Sequence, residues 1–94
     1  MAIDTANFVD KNLQAFKERM RITSGDEDER LKRMLTSSIV ATTSLVGATE
    51  LDEMLTELTF ERARYVYHDA LDEFQKNYAD EIELQTFLNS LKEG

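Results

Sequence analysis

Residues 55–78 read LTELTFERARYVYHDALDEFQKNY, and the fold turns on how this stretch is read. It holds neither Gly nor Pro. Leu55, Leu58, Ala63, Val66, Tyr67, Ala70, Leu71, Phe74 and Tyr78 recur at three- and four-residue steps. That period lays them along one broad stripe of an α-helix. The aromatics Phe60, Tyr65, Tyr67, Phe74 and Tyr78 gather in the same run. The expectation is a long central helix near 55–78, packed in an all-α bundle of three to four helices.

The flanking segments carry the same period. Asp4 or Thr5 can cap a first helix whose stripe is Phe8, Val9, Leu13, Phe16, Met20 and Ile22, ending near Arg21. Ser24-Gly25-Asp26-Glu27 reads as a capping box, with Ser24 as N-cap and Glu27 reaching back to it. A second helix then spans about Asp26 to Val46. Its buried stripe is Leu31, Met34, Leu35, Ser38, Ile39, Thr42, Leu45 and Val46, and Asp28–Lys32 and Glu29–Arg33 are spaced as ion pairs along it. Its middle, TSSIVATTS, is poor in charge and rich in small hydroxyls, which fits close contact with another helix or another subunit. Gly47 closes the helix, because it takes a positive φ without strain. Thr49 to Asp52 supplies the cap of a further turn merging with the central helix. After Ala79 the period breaks. Asp80 is placed to open a final segment whose Ile82, Leu84, Phe87, Leu88 and Leu91 form no single clean face, so this tail either packs on a neighbour or closes the bundle.

With 94 residues the chain is one domain, 1–94, with fraying expected at 1–7 and 92–94. So short a chain buries only about 60–65% of its unfolded surface, and association is one way for it to gain stability. It has no Cys, which excludes disulfides and thiolate sites. No apolar run reaches the length of a membrane span, and the first residues do not read as a signal peptide. Residues 1–46 hold seven basic and seven acidic side chains; residues 47–94 hold four basic and twelve acidic ones. The whole net charge of −8 therefore sits in the second half. That surface repels nucleic-acid phosphates.

No residue pattern points to catalysis, a cofactor or a metal. His68 is the only histidine, and a zinc site needs more ligands than it and Asp72 provide. It reads instead as a side chain hydrogen-bonded to a nearby carboxylate. The acidic turn at 26–29 lacks the spaced ligands of a calcium loop. Lys17, Arg19, Arg21, Arg30, Lys32 and Arg33 cluster near the first turn. One alternative for them is a small helical regulator or DNA-binding module; another is charge-complementary self-association, with the basic half of one copy meeting the acidic half of the next. Arg62 borders the apolar stripe. It fits either an intrachain ion pair or a contact between subunits, as Arg and Tyr are enriched at interfaces.

Two stretches resemble a known family. Residues 16–35, FKERMRITSGDEDERLKRML, and residues 60–74, FERARYVYHDALDEF, are similar to the small head–tail connector (adaptor, DNA-packaging) proteins of tailed bacteriophages and prophages. The similarity runs through most of residues 8–80; the last segment, from Ile82, lies outside it. The resemblance implies an all-α virion protein made in the bacterial cytoplasm, with no enzymatic activity and no cofactor. It would form a cyclic homo-oligomer, a dodecamer, beneath the portal at the head–tail junction. Its partners would be the portal protein and a downstream head-closure or tail protein. Genome DNA would pass through the lumen without sequence-specific binding, and no membrane is involved. Arg30, Arg33, Arg62, Arg64, Tyr65 and Asp69 are the residues expected at subunit or partner contacts.

Overall fold

Helix α1, Thr5–Met20, begins where the Asp4 carboxylate accepts the Asn7 N–H at 3.0 Å. Its apolar stripe buries Phe8, Val9 and Phe16. Helix α2 is Asp28–Val46, and its start departs from the expected capping box. Ser24 Oγ accepts the Asp26 N–H at 3.0 Å and closes a tight turn ahead of the helix. Glu27 turns away from Ser24. Its carboxylate accepts from Arg30 at 2.8 Å and from the Tyr67 hydroxyl at 3.0 Å. A charge-assisted bond to a guanidinium outcompetes one to a backbone amide. Asp28 likewise leaves the expected Lys32 pairing for Lys17 of α1, at 2.7 Å.

The computed structural model describes residues 3–93, and in it the stretch 55–78 is not one helix. Helix α3 runs Glu53–Tyr67, capped by Asp52, whose carboxylate accepts the Leu55 N–H at 2.8 Å. A 3₁₀ turn at Leu71–Glu73, a short helix α4 at Phe74–Asn77 and helix α5 at Ala79–Glu93 follow. The break is at Asp69, which holds φ of 58°. The Asp69 N–H bonds Val66 O and the Ala70 N–H bonds Tyr65 O, which is the paired pattern of a Schellman termination. Asp enters this left-handed region more readily than most residues. The same pattern ends α1 at Arg21, with φ of 60°. Gly47, with φ of 69°, ends α2 as its glycine predicts. The central run is thus a helix, a corner and a second short helix. The period carries across the corner because Phe74 still packs inward.

The fold is all-α: five helices and no β-strand among the described residues. Phe8, Phe16, Leu31, Leu35, Ile39, Leu55, Leu58, Ala63 and Phe74 form one core. The Phe60 ring lies 5.7 Å from Phe16 and 6.4 Å from Phe8 between centroids. The hydroxyl-rich segment of α2 faces α3 within the chain. Ser38, Thr42 and Thr59 are fully buried, and the Thr42 and Thr59 hydroxyls lie 2.8 Å apart. Leu45, expected inside, lies at the surface. Thr5–Asn7 and Lys92–Glu93 are helical; the fraying expected at Met1, Ala2 and Gly94 falls outside the described residues. Among the described residues no helix is long and apolar enough to cross a membrane. The Cα extents are 44 × 28 × 17 Å.

Candidate functional site

Glu61, near the middle of α3, joins three elements. Its carboxylate takes Arg19 of α1 at 2.8 Å, Arg64 one turn on at 2.6 Å and the Tyr78 hydroxyl from beyond the corner. Burial alone pushes this carboxyl up. The bonds from Arg64, Tyr78 and Arg19 and the charge of Arg64 outweigh burial and hold it below the ordinary glutamate range. Glu61 therefore stays ionised at neutral pH, as a brace and not as a proton carrier. Tyr78 moves the opposite way: burial and the Glu61 carboxylate both push its hydroxyl up. A cleft of about 530 Å³ opens beside Glu61, with Glu53, Glu57 and Glu81 also on its walls. Arg19 bridges two of these acids, Glu57 and Glu61.

The residues expected at contacts fall in different places. Arg64 grips Glu61 and lies 5.2 Å over the Tyr65 ring. Tyr65 meets Phe74 and Tyr78 edge-on at 5.8 and 5.7 Å, and its hydroxyl accepts from Asn77 at 3.0 Å. Both residues thus brace the corner inside the chain. Arg62 donates to Ser38 Oγ at 3.0 Å and has no carboxylate partner among the described residues; burial pushes its guanidinium down. Asp69 is exposed and serves as the helix terminator. Arg30 is exposed, paired with Glu27 and laid 5.1 Å over the Tyr67 ring. Arg33 is exposed and in no ion pair among the described residues. His68 contradicts its expected carboxylate bond: it is exposed and meets the Tyr67 ring edge-on at 5.3 Å. No group of three His, Cys, Asp or Glu side chains among the described residues is placed to hold a metal ion.

The basic cluster is largely neutralised within the chain. Lys17 binds Asp28, Arg19 binds Glu57 and Glu61, Arg30 binds Glu27, and Lys32 lies 3.9 Å from Glu29. A phosphate-tracking surface needs cations free to release counterions. Only Arg21 and Arg33 of the six are in no ion pair among the described residues.

Helix α5 presents the feature that residue-by-residue reading missed. Its inward face is polar. Gln85, 4% exposed, donates to Met54 O at 3.1 Å, and Asn89 donates to Val46 O at 2.9 Å. Val46 O is one of the last carbonyls of α2, which have no partner within their own helix. Ile82 is half-buried against the core. The outward face is apolar: Leu84, Phe87, Leu88 and Leu91 are 48, 58, 37 and 61% exposed. The five apolar residues of this tail look disordered as one set because they divide between two faces. Spacing of 84, 87, 88 and 91 at three and four residues is the signal, visible once Ile82 is set aside.

Compared with known proteins, the chain matches no family model, no curated protein and no solved structure.

Proposed function

We propose that this chain is a structural assembly subunit without enzymatic activity, of the head–tail connector kind that its sequence resembles. In this reading it forms a ring, a dodecamer, beneath a phage or prophage portal, joins the capsid to the next tail component and leaves a passage for DNA. The observation that carries the assembly reading is the outward stripe of α5. Four large apolar side chains at helical spacing, with polar residues turned inward, are reversed for a helix that ends at water. The resemblance of residues 16–35 and 60–74 supplies the place of that assembly. The acidic second half supports a DNA passage, since a negative wall lets a duplex slide.

Light scattering and negative-stain imaging, with and without the cognate portal protein, test this. The expected outcome is a ring, formed alone or on contact with the portal. A chain that stays monomeric at every concentration and never joins the portal overturns it.

A further inference from the structure

Two outward helix faces of this chain match each other. On α2, Arg33, Thr36, Ser37, Val40 and Ala41 line a shallow cleft of about 460 Å³, and Val40 is 50% exposed. On α5, the corresponding face runs Asp80, Glu83, Leu84, Phe87 and Leu88. Each α5 position is 47 residues on from its α2 counterpart, so the two stripes share one angular pattern. Each is charged at its N-terminal end and uncharged farther on: the α2 cleft also holds Glu29 and Lys32, which lie 3.9 Å apart and offset each other, leaving Arg33 as its net charge against Asp80 and Glu83 of α5. Arg33 and Asp80 are exposed, and neither is in an ion pair among the described residues. From Arg33 to Val40, and from Asp80 to Phe87, is seven residues, about 10 Å along a helix.

We propose that α5 of one copy packs in parallel on the outward face of α2 of a second copy, with Asp80 against Arg33 and Phe87 against Val40. The proposal rests on the assembly reading above and names its joint. The small side chains of α2, Ser37, Ala41 and Ser44, admit the larger Leu84, Leu88 and Leu91 at the same register. An antiparallel arrangement sets Arg33 against Leu91 and Asp80 against Ser44, so neither charge meets its opposite. A parallel α5–α5 contact stacks Asp80 and Glu83 on their own copies, and like charges at close range are penalised. An antiparallel one brings those acids beside Leu91, where Lys92 is already drawn to Glu50 and Asp52 at 3.6 and 3.7 Å. The two patches lie on different helices, so each copy has one free patch of each kind after docking. Such a heterologous contact propagates into a ring or a filament and does not stop at a dimer.

The chain has no cysteine, which makes crosslinking unambiguous. Two single variants, Val40→Cys and Phe87→Cys, are mixed and oxidised under conditions where the wild type is assembled. The expected product is a disulfide between the two different variants, with each variant alone giving little. Efficient Phe87→Cys crosslinking with itself overturns the proposal in favour of a symmetric contact. Assembly by light scattering without a mixed disulfide overturns this joint and leaves the assembly reading standing; no assembly even with portal overturns both. Charge exchange is the second measurement. Arg33→Glu and Asp80→Arg each weaken self-association tenfold or more, and mixing the two variants restores contact at the reversed pair. Loss in the singles with no recovery on mixing overturns the pairing.

Discussion

In α2, Leu31, Leu35 and Ile39 are fully buried while the charged Arg33 faces water; in α5, Gln85 is 4% exposed while Phe87 is 58% exposed. The two helices lie in one chain and touch at Asn89 and Val46 O, yet they distribute polarity in opposite senses. The difference shows which part of the fold is complete. Helices α1 to α3 bury most of their apolar stripes against each other. Helix α5 is seated by amide side chains on backbone carbonyls. Such bonds orient a helix with a net gain of only about 1 kcal/mol each, and its large apolar side chains, Ile82 apart, leave 37 to 61% of their surface exposed until something covers them.

The largest effect that tests this contrast is in the core. Phe16→Ala is expected to cost about 3–5 kcal/mol in denaturant unfolding of the monomer, while Phe87→Ala changes it by no more than about 0.5 kcal/mol. Equal losses would place Phe87 in a core and erase the contrast. Next, Gln85→Ala removes the donor to Met54 O and is expected to cost about 1–3 kcal/mol. Hydrogen exchange is the sharper readout: amides of α5 lose protection while those of α1 to α3 keep theirs.

The brace at Glu61 gives a smaller, pH-dependent effect. Its carboxyl is held low in the folded chain. A depressed folded value stabilises the fold above the ordinary glutamate range, near pH 4, and that stability is lost as pH falls through the folded value. Melting of the wild type should therefore drop more steeply on acidification than that of Glu61→Gln; parallel profiles would show that the brace contributes nothing. The smallest effect is expected for Arg64→Ala, at most about 1 kcal/mol, because the Arg64–Glu61 pair is part-exposed and Glu61 keeps Arg19 and Tyr78. A loss as large as that of Phe16→Ala would make Arg64 a central brace of the corner.

The stretch FERARYVYHDALDEF shows how far residues alone can be read. Its helical period places Ala63 and Phe74 in the core, and both are there. It does not reveal the corner at Asp69, because a Schellman ending at Asp carries no glycine, and the apolar spacing continues through it. Arg62, Arg64 and Tyr65 stand out in the sequence as more than packing needs. Glu61 is a local i,i+3 partner of Arg64, but Ser38, Phe74, Tyr78 and Asn77 lie 9 to 24 residues from the residues they meet, and no local rule selects among them. The capping box fails in part for the same reason: besides Arg30 one turn on, Tyr67, 40 residues away, donates to the Glu27 carboxylate.

Local chemistry determined the all-α class, most of the buried stripes of α1 and α2, Leu45 excepted, and the caps at Asp4, Asp52 and Gly47, since each depends on neighbours within a turn or two. The tertiary structure decided where the central run bends, which acids Lys17, Arg19 and Lys92 meet, and which side of α5 faces out. Those outcomes depend on competition between distant partners for the same donor, acceptor or surface. Helical period fixes the angle between side chains on a helix; only packing decides which angle points to water.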